Sequence, residues 1–172
     1  HVAMSGHGEA MIVFADNHQT EAAGMPYDIG SGLGRRFVDP LNARQDANTN
    51  PEPTIRVQCP LVAIDPTGTA VAVWWRSYET PEGQLASVEA ATYSRGSGWS
   101  EPVVLDTGPE SADPNCPTGL VMDGSGNAMA VWAGPNLSGT RFSIRPADGT
   151  WTTAETHSLQ GLEPAIVVND AG

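Results

Sequence analysis

The sequence predicts an all-β domain of short antiparallel strands. Its 172 residues include 19 glycines and 14 prolines, which are spread along the chain instead of being gathered in one linker. The apolar runs between them are short and rich in β-branched and aromatic side chains, as in TAVAVWW at 69–75. No stretch keeps the helical i, i+3, i+4, i+7 spacing over three turns. These features together indicate many strands joined by turns.

One sequence unit recurs along the chain. PLVAIDPTGTAVAVW and PTGLVMDGSGNAMAVW are its two central copies, VAMSGHGEAMIVF is the first, and PAIVVNDAG begins a fourth. These copies occupy residues 60–74, 117–132, 2–14 and 164–172. A glycine stands at the same place in the first three, as Gly8, Gly68 and Gly126. Recurrence over such a period is the sequence signature of a repeat architecture.

A second motif gives each repeat four strands. YDIGSGL at 27–33 aligns with YSRGSGW at 93–99, and PADGTW at 146–151 is a looser copy. The central repeat is therefore predicted to have strands at 60–65, 69–78, 85–94 and 99–105. The first two strands meet at a turn where Pro66 presets φ and Gly68 accepts a positive φ.

The first two strands of each repeat are apolar at nearly every position, which indicates that both of their faces are covered. A four-stranded sheet stacked between two like sheets has this property, and a repeat of this size is typical of one blade of a β-propeller. The predicted units are blade 1 with elaborated loops, blade 2, blade 3 and the inner strand of a following blade, at 1–57, 58–115, 116–162 and 163–172.

The repeated string P-x-x-x-x-D-x-x-G-x-A-x-A-V-W, preceded by G-W-S-x-P-V-x-L, resembles the tandem repeats of secreted bacterial β-propeller proteins. Their blades are similar to those of sialidases and propeller lectins. The resemblance covers nearly all of residues 2–172, whereas 15–26 and 39–56 depart from the pattern. It implies an extracellular, cell-surface or periplasmic protein, and it leaves the ligand undefined because this architecture serves many functions.

Three blades cannot close a ring, since propellers have roughly four to eight. An open blade would expose an apolar face large enough to act as an association site. Further blades from the same longer chain, or a second copy of this chain, are the expected partners. The longer chain is favoured, because closure by a dimer would leave the fourth inner strand redundant. A β-trefoil is the alternative fold, although the Q-x-W signature of ricin-type lectins is absent.

Large side chains recur at two places in the repeat, and we expect them to fill the seams between blades. Phe14, Trp74 and Trp132 occupy one place, and Trp99 and Trp151 occupy the other, which Leu33 shares.

Three side chains that do not recur are the candidate ligand-binding residues: Trp75, Arg76 and Tyr78. An aromatic face beside a guanidinium is suited to stacking on a sugar and to contacting its hydroxyl or carboxylate groups. Ordinary loop packing is the alternative interpretation.

Cys59 and Cys116 each directly precede a proline at the entry to an inner strand, which makes them neighbours in adjacent blades. A disulfide in an oxidising compartment and two separate thiols both fit this placement.

No cofactor is expected. Asp123, Ser125 and Asn127 have the alternating oxygen spacing of a calcium loop, but the distal bidentate Glu is missing and the turn already explains the Asp. The net charge of -12, with no lysine, disfavours a nucleic-acid partner. No apolar run approaches the roughly 20 residues of a membrane span.

Common enzyme signatures are absent, including G-x-S-x-G, H-E-x-x-H, the P-loop and the S-x-D-x-G-x-x-W box of sialidases. The predicted function is therefore a non-catalytic binding or scaffold module that recognises a glycan or protein ligand. The alternatives are part of a glycoside hydrolase, with carboxylates supplied partly from outside these residues, and a structural subunit of an extracellular assembly.

Overall fold

A computed structural model describes residues 1–15, 56–81, 83–109, 116–134, 139–158 and 164–169, and the backbone of 22–28, 32–33 and 39–40. All regular elements in these ranges are strands. The described residues contain no helix that is long and apolar enough to cross a membrane. The strands are β1 (Val2–Met4), β2 (Glu9–Ala15), β3 (Ala22–Asp28), β4 (Gly32–Leu33), β5 (Asp39–Pro40), β6 (Arg56–Ile64), β7 (Ala70–Thr80), β8 (Gly83–Ser94), β9 (Gly98–Trp99), β10 (Val103–Pro109), β11 (Pro117–Met122), β12 (Ala128–Ala133), β13 (Thr140–Arg145) and β14 (Glu155–His157).

The strands form three antiparallel sheets that follow one another along the chain. The first sheet has the order β1-β2-β3-β4, the second β10-β8-β7-β6 and the third β11-β12-β13-β14. The two additional short strands pair within the same sheets, β5 with β3 and β9 with β8. The predicted all-β, antiparallel class is confirmed. Of the elaborated loops expected in the first repeat, 16–21 and 41–55 lie outside the described residues.

The fourth strand of the central repeat differs from the prediction, because it is divided into β9 and β10. Ser100 interrupts the ladder: its N–H donates to the Thr92 carbonyl at 2.8 Å, and its Oγ accepts the Thr92 N–H at 3.1 Å. Pro102 follows and has no N–H to donate. Pairing with β8 resumes at Val103.

The turns that join the first two strands of each sheet share one design. The side-chain oxygen of the first turn residue accepts the backbone N–H groups two and four residues further on, at 2.8–3.3 Å. The first turn residues are Ser5, Asp65 and Asp123. The fourth turn residue is a glycine with positive φ, and these are Gly8 (85°), Gly68 (87°) and Gly126 (90°). The side-chain oxygen and the glycine together specify the tight hairpin.

These turns also lie side by side in consecutive sheets. A Cβ atom on Gly126 would lie 3.3 Å from Asp65 Oδ2 of the preceding turn, and one on Gly68 would meet the Glu9 carboxylate. The Glu9 carboxylate forms an ion pair with Arg95 of the second sheet. The glycine is therefore required by the close approach of the neighbouring turn as well as by its φ.

In the described part of the chain the core consists of two seams between successive sheets. The first seam contains Met11 and Val13 from the first sheet and Val57, Val62, Ala70, Ala72, Trp74 and Ala91 from the second. The second seam contains Val71, Val73, Val88, Ala90 and Leu105 from the second sheet and Ala128, Ala130 and Trp132 from the third. Successive β7 residues point into opposite seams, because side chains alternate along a strand. This arrangement explains why β7 is apolar on both faces.

The repeated large residues do not all have the same environment. Trp74 and Trp132 are fully buried, each in the seam with the preceding sheet, whereas Phe14 is 36% exposed. Phe14 therefore departs from its predicted position in a seam. Because side chains alternate along a strand, Phe14 lies on one face of β2 and Met11 and Val13 lie on the other. Within the described ranges no other sheet packs on the face that carries Phe14.

Trp99 and Trp151 are half-buried at the margins of the first and second seams respectively. Trp99 pairs with Tyr93 across β9 and β8, and their ring centroids are 5.5 Å apart. The Leu33 backbone pairs with Tyr27 in the same register in the first sheet, while its side chain lies outside the described part of the chain. The two short strands β4 and β9 are thus equivalent.

Residues 164–169 lie against the third sheet. A Cβ atom on Gly119 would lie 2.8 Å from Ile166 Cγ2 and 2.9 Å from Val131 Cγ2. Val131 points away from the seam that holds Trp132, because the two residues are adjacent in β12. Ile166 therefore packs on the face of the third sheet that is remote from the second.

The different environments of Trp74, which is buried, and Phe14, which is partly exposed, can be tested by truncating each side chain to alanine. We expect Trp74→Ala to lower the free energy of unfolding by about 3–5 kcal/mol, because it leaves a cavity in a filled seam. Phe14→Ala is the matched control and should cost about 1 kcal/mol or less, because its ring is already partly hydrated. Urea unfolding followed by circular dichroism measures both values. Equal losses would contradict the assignment of the two faces.

Candidate functional site

The two ends of the stacked sheets differ. At one end, here called the turn end, the connections include the tight turns at 5–8, 65–69, 95–97 and 123–127. At the other end, called the loop end, β6, β8, β11 and β13 begin. Binding residues concentrate on loops held by a rigid scaffold. The loop end is therefore the candidate functional region.

The second sheet extends further toward the loop end than the third. Trp75 of β7 is equivalent to Ala133, where β12 ends, yet β7 continues to Thr80. The extension pairs with β8 down to Thr80↔Gly83, and Thr80 Oγ1 donates a hydrogen bond to the Gly83 carbonyl at 2.7 Å. This ribbon carries two of the three predicted ligand-binding residues, Arg76 and Tyr78.

The three predicted residues do not form one surface. β7 and β8 pair without a register shift, with Trp75 opposite Val88, Arg76 opposite Ser87 and Tyr78 opposite Leu85. Strand alternation places Arg76 and Tyr78 on the face toward the first sheet and Trp75 on the face toward the third. Of the two predicted aromatic residues, Tyr78 therefore shares a face with Arg76 and Trp75 does not. Adjacent residues of a regular strand point to opposite faces of the sheet, and this separates the side chains of Trp75 and Arg76.

Tyr78 is the aromatic residue beside the guanidinium. The Arg76 Cζ lies 5.2 Å from the centroid of the Tyr78 ring. Arg76 Nη1 is 3.3 Å from Glu89 Oε1, and Ser87 Oγ donates a hydrogen bond to the same oxygen at 3.0 Å. The Arg76 side chain is 20% exposed and that of Glu89 is 4% exposed. The guanidinium is thus held between an aromatic face and a buried carboxylate.

Glu89 was not among the predicted site residues. It is the single charged residue in the run LASVEAATYS, and its partner across the ladder is Trp74. An acidic residue within a strand of small and apolar side chains is a signal of a buried ion pair, because an unpaired buried charge is costly. The sequence contained this signal, but the partner could be identified only from the pairing of β7 with β8.

Several polar atoms near this pair have no hydrogen-bond partner within the described part of the chain. They are Trp74 Nε1, Arg76 Nε and Glu89 Oε2, all buried on one face of the second sheet. The second seam is different at the equivalent place: Asp106 Oδ2 accepts a hydrogen bond from Trp132 Nε1 and pairs with Arg141 Nη1, both at 2.8 Å. The tryptophan in the second seam therefore has a carboxylate from the preceding sheet as its partner.

Cys59 and Cys116 are joined by a disulfide at the loop end, with Cα atoms 5.8 Å apart. The bond links β6 of the second sheet to the residue before β11 of the third sheet. Cys59 has a φ of 56°, and the β6 ladder shifts register between Gln58 and Leu61. The disulfide holds the entries of two inner strands together where the ladder itself is irregular.

Asp123, Ser125 and Asn127 form one turn whose donors point at the Asp123 carboxylate. Oδ1 accepts two backbone N–H groups at 2.9 Å, and Oδ2 accepts a hydrogen bond from Asn127 Nδ2 at 2.6 Å. The Asn127 side chain lowers the pKa of Asp123, and backbone hydrogen bonds act in the same direction. Within the described ranges no three His, Cys, Asp or Glu residues are grouped to hold a metal ion. The turn uses its carboxylate as a hydrogen-bond acceptor.

The titration of Asp123 tests this role. We expect its pKa, followed by NMR as the pH is lowered, to lie below the ordinary aspartate value and to rise in Asn127→Ala. Ser125→Ala is the control, because Ser125 donates through its backbone. The stabilising effect of the carboxylate should be present above the unfolded-state pKa and lost as the pH falls through the folded-state pKa. A downfield or upfield shift of the Asp123 resonance with millimolar Ca²⁺ would contradict a purely structural turn.

Comparison with known proteins finds 17 solved chains of similar structure, and one of them is a sialidase. No protein-family model matches the chain, and no curated protein matches it. The solved structure of the Hadza microbial sialidase Hz136 is similar with a TM-score of 0.41 and 12% sequence identity. The similarity covers 91% of this chain and 46% of the sialidase chain, so this chain spans less than half the length of that protein.

Proposed function

We propose that the three sheets are consecutive blades of a β-propeller in a secreted or cell-surface bacterial protein. In this proposal the chain is a non-catalytic module that binds carbohydrate at its loop end. The observation that carries it is the contrast between the ends: the same turn geometry recurs in all three sheets at one end, whereas the extended β7–β8 ribbon lies at the other. The blades correspond to 1–57, 58–115 and 116–162, with 163–172 beginning another.

The arrangement of the inner strands supports a ring of blades. One cleft is lined by residues of β6, β11 and the segment 164–169, with the start of the chain beside them; the lining includes His1, Leu61, Leu120 and Ile166. When sheets are arranged around a common axis, the first strand of each sheet is expected to line a shared central cleft. Face-to-face stacking of whole sheets favours this architecture over the β-trefoil.

Exposed apolar side chains support the presence of further blades. Val2 and Met4 are 59% and 64% exposed on the face of the first sheet that carries Phe14. The corresponding faces of the second and third sheets are covered by the sheet before them. Ile166 packs on the outer face of the third sheet, where the inner strand of a further blade would lie, and this supports blades of the same longer chain over a second copy.

The disulfide supports an extracellular or periplasmic location. Disulfides persist in oxidising compartments and are rare in the cytosol. Cys59 and Cys116 join adjacent sheets, so the bond has a structural role that an oxidising environment would maintain.

The environment of the buried carboxylates supports binding over hydrolysis. A glycoside hydrolase needs two carboxyl groups that flank the scissile bond. Among the described residues, Glu89 and Asp106 are the strongly buried acidic groups near the loop end, and each is paired with an arginine inside a seam. The two carboxylates also point into different seams, so they do not flank one ligand.

A glycan array combined with a panel of chromogenic glycosides tests the proposal. We expect the folded chain to bind at least one glycan and to release no chromophore from any glycoside. The same array with reduced protein measures how much the disulfide Cys59–Cys116 contributes to glycan binding at the loop end. Chromophore release that tracks the purified protein, or no binding to any glycan, would overturn the proposed function.

A further inference from the structure

We propose that the disulfide between Cys59 and Cys116 is a redox-sensitive lock on β6. In the oxidised form the bond holds Cys59 in a left-handed backbone conformation, and this conformation keeps β6 in register beside β7. A dithiol reductant releases the lock and loosens β6 at the loop end. The inference goes beyond the proposed function, because it does not depend on which ligand the loop end binds.

The backbone of Cys59 carries the first step. Its φ of 56° is the single positive φ of a non-glycine residue in the part of the chain that the structure describes. A residue with a Cβ atom disfavours this conformation and keeps it only where the surrounding structure imposes it. The disulfide to Cys116 is the covalent restraint at this position. The bond therefore holds a conformation that cysteine alone would leave.

The register of β6 shows what this conformation does. The ladder contains a bulge at Cys59 and Pro60, which together lie opposite the single residue Trp74. A bulge adds one residue to one strand and so shifts the alternation of the side chains beyond it. Val57, before the bulge, and Val62, after it, are therefore both buried in the first seam although their spacing is odd. Without the bulge, alternation would point one of these valines away from the seam.

The third sheet shows that an irregular inner strand does not itself require a positive φ. β11 also contains an additional residue, Thr118, between Pro117 and Gly119 of its ladder with β12. None of these three residues has a positive φ. The left-handed conformation is therefore specific to Cys59, the bulge residue that the disulfide ties to the neighbouring sheet.

The disulfide is accessible to a reductant, because Cys59 is exposed and Cys116 is half-buried. A thiolate of the reductant attacks one sulfur, forms a mixed disulfide with that cysteine and releases the other cysteine as a thiolate. The second thiol of the reductant then displaces the first cysteine. Two electrons pass to the protein disulfide, which becomes two thiols, and the reductant becomes a cyclic disulfide.

The part of β6 before the bulge supports the start of the β7–β8 ribbon. Residues 56–58 of β6 pair with residues 75–77 of β7. Arg76, a candidate ligand-binding residue, lies opposite Val57 in this ladder. Release of Cys59 therefore loosens the strand that pairs with the candidate region.

Hydrogen exchange measured by mass spectrometry tests the lock. The oxidised chain is compared with the chain reduced by dithiothreitol without denaturant, and alkylation of a parallel sample with iodoacetamide counts the free thiols. We expect two alkylated cysteines per chain and exchange about tenfold faster at 56–61, while residues 128–133 of the third sheet keep their protection. Resistance of the disulfide to dithiothreitol in the folded chain would overturn the proposal.

Two double variants separate the backbone conformation from the covalent bond. Cys59→Gly with Cys116→Ser removes the bond and places at the bulge a glycine, which adopts a positive φ freely. Cys59→Ser with Cys116→Ser is the matched control, because serine has a Cβ atom and forms no bond. We expect exchange at 56–61 to stay close to that of the oxidised chain in the glycine variant and to match that of the reduced chain in the serine variant.

Equal exchange at 56–61 in the two double variants, or in the oxidised and reduced chains, would overturn the lock. If the serine variant does not fold, the reduced chain replaces it, because that chain also has a Cβ atom at residue 59 and no bond. None of these measurements uses a glycan. Failure of the lock therefore leaves the proposed function to the glycan array.

Discussion

A tryptophan from one sheet, packed on the apolar face of the sheet before it, holds this molecule together. Trp74 packs in the first seam against Met11 and Val13 of the first sheet. Trp132 packs in the second seam against the β-branched side chains of the second sheet. None of the three sheets could bury this surface alone, because a single sheet has two faces and no other layer to cover them. The packing between sheets thus supplies the core.

The turn end and the loop end follow from this packing. Sheets that stack in register bring equivalent turns side by side, and the close approach of Asp65 to Gly126 is one consequence. The turn end therefore has little freedom to vary. At the loop end the disulfide Cys59–Cys116 joins the second and third sheets, while β7 and β8 extend beyond the third sheet. Tyr78 on this extension packs against the first seam, so the candidate residues are supported by the core.

Much of the architecture could be predicted from the sequence, because the repeat contains its own turn and core signals. Gly68 and Gly126 align, and both have positive φ. The double-sided burial of β7 was evident in its continuous apolar run. The environment of Phe14 could not be predicted from the repeat, because the repeat specifies a position on a strand and does not specify which faces meet another sheet.

The candidate site was predicted in part, and the reason is geometric. Trp75, Arg76 and Tyr78 were all identified because they do not recur, but absence from the repeat does not say which face of the strand a side chain occupies, and alternation places Trp75 on the face opposite the other two. Glu89 is distant in sequence and becomes the partner of Arg76 only through the register of β7 and β8. Ion pairs that form across a ladder depend on register, which local sequence does not specify.

The stacking of sheets through their tryptophans is tested most directly by a double-mutant cycle between Trp132 of the third sheet and Asp106 of the second. Trp132→Phe removes the indole donor, Asp106→Ala removes the acceptor, and urea unfolding gives the free energies of both single variants and the double variant. The hydrogen bond between the sheets predicts a coupling free energy of about 1–3 kcal/mol. Additive losses, with no coupling, would contradict the face-to-face packing of the two sheets.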